Sequence, residues 1–161
     1  MWTTEITKIC STVGPWLTVS LALLSVSCGL DNVALGKRIY QSGEGTKGYL
    51  SYQQGPDWLA LAKRGCQACH GPAGQGRVVR AGTVTGTAPP LTPDAMVERG
   101  YDEITLRRAI TEGLDVSGRP MSYYMPRWQL SERELQALLQ YLETFWFTDF
   151  FRAFVPQPII V

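Results

Sequence analysis

The chain has 161 residues, of which 45% are hydrophobic and 18% are charged, a balance typical of a globular protein and not of a disordered one. With 15 basic and 14 acidic residues, the formal net charge of +1 argues against a strongly basic nucleic-acid binder and an acidic tail protein. The length suits one domain. His70 is the sole histidine, which excludes any metal site that needs two histidines from this chain.

The N-terminal segment, residues 1–30, differs from the rest. Lys8 precedes an uncharged run over 13–30, which is the pattern of an export signal and lies at the short limit of a membrane span. The sequence LLSVSC, which ends at Cys28, resembles a bacterial lipoprotein signal, although its leucine lies one place further from the cysteine than is usual. We expect an export signal, a lipoprotein signal with lipid on Cys28, or a retained membrane anchor. Each alternative exports the remainder to the periplasmic face of a bacterial membrane.

Short helices separated by long loops are predicted after residue 30. The spacing of apolar residues and the capping residues indicate helices over 33–41, 57–65, 93–99, 102–113 and 131–146. Ser131 and Glu134 form a capping box for the last of these helices. Residues 71–93 are predicted as loop, with brief extended pieces at 78–79 and 83–87, because glycine is frequent there. The domain is therefore expected to be mostly α.

Cys66, Cys69 and His70 form the sequence C-x-x-C-H, which is the attachment signature of c-type haem. The two thiols add to the two vinyl groups of the haem, and the adjacent histidine becomes an axial ligand of the iron. A zinc site would need four ligands, and the sequence does not supply them. A thioredoxin-type redox pair would need a βαβ unit, which the sequence does not indicate. Because both cysteines are used in thioethers, we expect no disulfide in the folded domain.

The second axial ligand must come from another part of the chain, because there is no second histidine. Methionine is a usual partner of histidine on such a haem. Met96 falls in a predicted helix, where core packing is the better explanation. Met121 and Met125 lie in the loop 118–130, and a loop can lay a thioether across the far face of the ring. Both are candidates.

Five segments together resemble the class I c-type cytochromes of bacteria: GKRIY (36–40), CQACHGPAGQG (66–76), LRRAITEG (106–113), GRPMSYYMPRW (118–128) and LSERELQALLQYL (130–142). The resemblance covers about 35–145, and it implies domain boundaries of 1–30 for the targeting segment, 31–145 for a mono-haem cytochrome c domain and 146–161 for a tail. It also implies a mostly α class I cytochrome c fold, with four to five short helices and long loops around one covalent haem. The first and last helices of that fold cross.

The resemblance also implies roles for single residues. The family's methionine–proline pair, which supplies the axial sulfur, is matched by Met125 and Pro126, so we expect Met125 rather than Met121 as the ligand. A backbone carbonyl near Pro72 is expected to accept the proton on the outer nitrogen of His70. Basic and aromatic side chains are candidates for binding the anionic haem propionates, chiefly Arg119 and Trp128, and further Arg77, Arg80, Tyr123, Tyr124 and Arg127.

The sequence departs from a minimal family member between Tyr40 and Cys66. The family's first helix leads directly into the cysteine motif, whereas here about 25 residues intervene. We take Val33–Tyr40 as the first helix, with 57–65 as the alternative.

The function implied is electron transfer and not enzymatic catalysis. A mono-haem cytochrome c with ligands His70 and Met125 would pass one electron between donor and acceptor redox proteins. The segment 1–30 and the tail 146–161, where aromatic residues are dense, favour a membrane-tethered carrier or a subunit of a respiratory or photosynthetic complex. The alternatives are a haem enzyme or gas sensor with an open sixth position, and a structural subunit whose haem serves folding.

Overall fold

The computed structural model of the chain describes residues 21–145. Within this range there are six helices: α1 (Leu21–Ser42), α2 (Asp57–Leu61), α3 (Gln67–His70), α4 (Pro93–Glu98), α5 (Glu103–Thr111) and α6 (Glu132–Glu143). Four short strands form two antiparallel pairs, β1 (Glu44–Gly45) with β2 (Gly48–Tyr49) and β3 (Arg77–Ala81) with β4 (Val84–Ala88). The described residues are therefore mostly helical, as predicted.

Helix α1 includes the predicted first helix Val33–Tyr40, and the alternative segment 57–65 forms the short helix α2 instead. By its backbone contacts the chain divides into the units Met1–Leu30 and Asp31–Val161, so α1 begins in the first unit and ends in the second. Among residues 21–145, none of the helices combines the length and the apolar character needed to cross a membrane. The tail 146–161 lies outside the described residues, and the division into a targeting segment, domain and tail stays a prediction.

Helices α1 and α6 cross at Gly36. A Cβ atom at this position would lie 2.0 Å from the carbonyl oxygen of Ala137 and 2.8 Å from the Cβ of Tyr141. Glycine is therefore required for the two backbones to approach this closely. The close contact of the first and last helices agrees with the arrangement that the family resemblance implies.

The core is formed mainly by the apolar face of α6 against α1. The predicted capping box is present, since the Ser131 hydroxyl accepts from the backbone N–H of Glu134 and the Glu134 carboxylate accepts from that of Ser131. The buried apolar residues of this cluster are Leu35, Ile39, Tyr40, Leu59, Ile110, Trp128, Leu135, Ala137, Leu138, Leu139, Tyr141, Leu142 and Phe145. Full burial of one large apolar side chain contributes roughly 1.5–3 kcal/mol, so this cluster is a main source of stability.

Residues 43–56, between α1 and α2, pair with the chain at 127–129. The backbone of Arg127 donates to the carbonyl of Gln54 (2.8 Å) and accepts from the N–H of Gln53 (3.0 Å). The rings of Tyr52 and Trp128 pack edge to face with centroids 5.4 Å apart. The long connection that departs from the minimal family pattern is therefore an ordered support for the residues just before α6.

The chain between α3 and α4 contains more strand than the sequence predicted. Strands β3 and β4 pair over five residues each, where brief extended pieces were expected at 78–79 and 83–87. The frequent glycines lowered the strand content that we predicted for this region. The two strands nevertheless form, because their pairing rests on backbone hydrogen bonds, which do not depend on local β-propensity.

Candidate functional site

An apolar cavity of about 440 Å³ lies between α3, β4, α5, α6 and the loop 118–130. Its walls contain the side chains of Cys66, Cys69 and His70 on one side and of Met121 and Met125 on another. The fold thus brings together all the candidate ligand residues of the motif and of the loop. Cys28 lies in α1, in the part of the helix for which the structure describes the backbone.

The cysteine motif is enclosed by the backbone of α1. A Cβ at Gly65 would lie 2.3 Å and 2.4 Å from the carbonyl oxygens of Ile39 and Tyr40, so glycine is needed immediately before the motif. The buried Tyr40 hydroxyl donates to the carbonyl of Gly71 (2.6 Å), just after the motif. Helix α3 is therefore fixed to α1 at both of its ends.

The His70 ring is buried, with 6% of its surface exposed, and its Nδ1 lies 2.8 Å from the carbonyl oxygen of Pro89. A carbonyl can only accept, so Nδ1 carries the proton and Nε2 carries the lone pair. Burial lowers the pKa of His70, and the nearby Arg99 cation lowers it further, although the bond to Pro89 acts in the opposite direction. The imidazole is therefore neutral at pH 7, with Nε2 free of hydrogen bonds among the described residues.

The predicted acceptor of the histidine proton was wrong. It was expected near Pro72, two residues after the histidine, but it is the carbonyl of Pro89, which follows the β3–β4 hairpin. The β3–β4 hairpin brings the chain back to the imidazole ring of His70. No residue spacing near the cysteine motif indicates that these two strands pair.

Both motif cysteines are free thiols with raised pKa values. Burial raises the pKa of the Cys66 thiol to about 12, and burial also raises that of Cys69 although the Arg77 cation opposes it. Reactive redox cysteines have lowered pKa values because the thiolate is the nucleophile. This pair consequently does not have the electrostatics of a thioredoxin-type site.

The methionines lie on a loop that turns back on itself. The N–H of Met121 donates to the carbonyl of Gly113 (2.7 Å), and that of Met125 donates to the carbonyl of Ser122 (3.0 Å). Met96 on α4 is buried, as predicted for a core residue. It also lines the cavity, and its sulfur accepts a hydrogen bond from Arg99 Nη2 (2.9 Å). Met121 and Met125 therefore remain the candidates for the axial ligand, because no described residue donates a hydrogen bond to the sulfur of either.

The basic and aromatic candidates divide between cavity and surface. Trp128 and Tyr124 line the cavity. The side chain of Arg119 is 76% exposed and is not among the described lining residues, but it pairs with Asp115 (2.9 Å), which does line the cavity. Arg77 donates to the carbonyl of Ala68. The remaining candidates Arg80, Tyr123 and Arg127 are likewise not among the described lining residues.

Arg99 is a lining residue that the sequence did not indicate. Its Nε donates to the carbonyl of Ala95 (2.9 Å), its Nη2 donates to that of Pro90, and its guanidinium stacks on the Tyr101 ring at 5.5 Å from the centroid. It is the arginine found among the described lining residues, and it supplies a positive charge to a largely apolar wall that also contains Asp115. No motif or spacing in the sequence singles it out.

Comparison with known families gives one match. Residues 56–142, more than half of the chain, match the family described as cytochrome c oxidase, cbb3-type, subunit III. No curated protein and no solved structure matches significantly. The matched range contains the cysteine motif, Arg99 and the methionine loop, and it begins at the end of the 43–56 segment.

Proposed function

Since the chain belongs to the family of cbb3-type cytochrome c oxidase subunit III, whose domain binds covalent haem c and takes part in electron transfer, we propose that it is a mono-haem electron carrier with His70 and Met125 as axial ligands. One observation carries this proposal. The His70 imidazole, whose Nδ1 faces the carbonyl of Pro89, and the thioethers of one loop line the same apolar cavity.

The residues of the cavity fit a covalently attached haem. Cys66 and Cys69 lie within one turn and are protonated thiols, which is the form that adds across a vinyl group. The walls are largely apolar, as a porphyrin ring requires, and Arg99 supplies a cation for the carboxylates of its rim. A haem, when bound, supplies the exchange of one electron between the ferric and ferrous states of its iron.

The protein's own groups would set the properties of that exchange. The carbonyl of Pro89 orients the imidazole of His70 and increases its basicity as a ligand. A methionine thioether is a soft ligand that favours ferrous iron and raises the reduction potential. We assign this ligand to Met125, which precedes the buried Pro126, and we treat Met121 as a wall of the cavity.

The test is the absorption spectrum of the reduced, haem-loaded protein before and after carbon monoxide is added. We expect no change for the wild type and for Met121→Leu, and carbon monoxide binding for Met125→Leu. Binding by Met121→Leu but not by Met125→Leu would transfer the axial role to Met121. Rapid binding by the wild type would overturn the carrier proposal in favour of a haem enzyme or gas sensor with an open sixth position.

We further propose that the domain works on the periplasmic side of a bacterial membrane, as a tethered carrier or a subunit of a respiratory or photosynthetic complex. The support is the sequence pattern of residues 1–30 and the family's link to an oxidase. Fractionation of cells labelled with palmitate tests the tether, with Cys10→Ser as the control for Cys28→Ser. Loss of both label and membrane association in Cys28→Ser alone supports a lipid anchor. An unlabelled protein in the membrane fraction supports a retained helix, and an unlabelled protein in the periplasm overturns the tether.

A further inference from the structure

Arg127 is a buried cation held by backbone carbonyls. Its surface is 7% exposed, and no ion pair of its guanidinium is found in the described part of the chain. Its two terminal nitrogens donate to four carbonyls: Nη1 to Ser122 (2.9 Å) and Met125, and Nη2 to Met121 (2.9 Å) and Gly113 (3.5 Å). A buried charge is costly unless hydrogen bonds satisfy it, so the side chain and this loop depend on each other.

The end of α5 is shaped to admit this guanidinium. Gly113 has a φ of +68°, and a Cβ atom there would lie 2.2 Å from Nε and 2.4 Å from Cζ of Arg127. Any larger residue would therefore displace the guanidinium. The carbonyl of Gly113 also accepts from the N–H of Met121 (2.7 Å), so one glycine gives room to the cation and holds the start of the loop.

The backbone of Arg127 is fixed from the opposite side. Its N–H and carbonyl pair with Gln54 and Gln53 of the 43–56 segment. Arg127 itself is not among the described residues that line the cavity, whereas Met121 and Met125 are. The backbone of Arg127 is therefore bound to the 43–56 segment, while its side chain is bound to the carbonyls of Met121 and Met125.

We propose that Arg127 is a positioning residue that holds the 121–125 loop against the cavity, so that the Met125 thioether stays in place as a ligand. This inference rests on the proposed His/Met ligation. Without the guanidinium, the four carbonyls lose their common donor, and the loop opens more often. External ligands then reach the sixth position of the iron more easily.

The experiment is an absorption titration of the ferric, haem-loaded full chain with imidazole. The variants are Arg127→Gln, which removes the charge, and Arg127→Lys, which keeps the charge but not the forked donors. Arg133→Gln is the matched control, because it removes one positive charge at an exposed position on α6, just after the same loop, and Arg133 is not among the described lining residues. Because hydrogen bonds to a charged group are lost, the apparent imidazole affinity should rise about tenfold or more in Arg127→Gln, less in Arg127→Lys, and less than about twofold in Arg133→Gln.

The outcomes separate this inference from the one on which it rests. If the wild type itself binds imidazole and carbon monoxide readily, the His/Met ligation fails. If the wild type resists both, and Arg127→Gln has a lower unfolding temperature but an unchanged imidazole affinity well below it, Arg127 is merely structural and the inference is overturned. Should Arg127→Gln not accumulate, Arg127→Lys decides alone, and a wild-type affinity in that variant overturns the inference.

Discussion

On the histidine side of the cavity, a four-residue helix is enclosed by the backbone of α1, whereas on the methionine side a loop is attached to one buried guanidinium. The first arrangement consists of close backbone contacts at Gly65 and one hydrogen bond from Tyr40. The second combines hydrogen bonds from the Arg127 side chain with a few backbone hydrogen bonds, such as that from Met121 to Gly113. Close packing leaves little room for partial opening, while a loop that is held mainly by hydrogen bonds can open by itself.

This difference gives the two sides different expected responses to mutation. Changes on the histidine side should alter haem attachment or the stability of the whole fold, because α1 belongs to the main core. Changes on the methionine side should alter the access of external ligands in addition to any loss of stability. The predictions below test this distinction, beginning with the largest expected effect.

Replacement of Cys66 and Cys69 by serine should abolish covalent haem attachment completely. A serine hydroxyl does not form the thioether, and no other cysteine lies among the described lining residues. The measurement is the mass of the denatured protein, together with haem staining after denaturing electrophoresis. Gln67→Ala is the control, since the Gln67 Oε1 atom makes no hydrogen bond in the structure. Haem that stays attached to the double variant would refute the assignment of the motif.

Gly36→Ala should destabilise the fold by about 3 kcal/mol, because overpacking at a close contact forces the backbone to shift. The added Cβ would lie 2.0 Å from the carbonyl oxygen of Ala137, at the crossing of α1 and α6. Urea unfolding of the haem-loaded protein measures the loss. Gly86→Ala is the matched control, since no atom lies within 4 Å of a Cβ at that position. Equal stability of the two variants would mean that α1 is not held by this crossing.

The histidine side could also be predicted from sequence more fully than the methionine side. Cys66, Cys69 and His70 are close in the chain, and the capping box of Ser131 and Glu134 is local as well, so a short pattern identifies each of them. The Pro89 carbonyl and the Arg99 cation reach the site through contacts that no short pattern encodes. Arg127 was considered as a haem contact because of its charge, but its carbonyl partners are set by the ends of α5 and of the loop.

Glu134→Gln tests the link between the 43–56 segment and α6. The carboxylate accepts from the N–H (2.7 Å) and hydroxyl (2.8 Å) of Thr46 and from the N–H (2.9 Å) and hydroxyl (2.7 Å) of Ser131. Burial alone would raise the pKa of Glu134, but these hydrogen bonds lower it from 4.5 to about 2. We expect a loss of about 2 kcal/mol at pH 7, as for removal of a strong cap and its charged hydrogen bonds.

The effect of Glu134→Gln should depend on pH in a defined direction. Because the pKa of Glu134 is lower in the folded chain than the ordinary 4.5, the carboxylate stabilises the fold fully above that pH. The stabilisation is lost as the pH falls through 4.5 towards about 2. Urea unfolding at several pH values should show the two proteins converging in this range. A difference that stays constant down to pH 2 would contradict the role of the carboxylate's charge.

Tyr40→Phe should have the smallest effect, a loss of about 1 kcal/mol for one buried hydrogen bond. The variant removes the donor to the Gly71 carbonyl but keeps the ring contacts with Tyr141 and Phe145, at centroid distances of 5.5 and 5.3 Å. Tyr123→Phe, on an exposed ring of the methionine loop, is the control and should change stability by less than about 0.5 kcal/mol.

The same Tyr40→Phe protein gives the most direct test of the contrast between the two sides. If close packing against α1 fixes the histidine side, loss of this hydrogen bond should lower the stability but leave the imidazole affinity of the ferric protein unchanged. Arg127→Gln is expected to differ, with a large rise in imidazole affinity in addition to its loss of stability. A rise in imidazole affinity in Tyr40→Phe equal to that in Arg127→Gln would mean that both sides open together. The cavity would then behave as one cooperative unit, and its two sides would not be held independently.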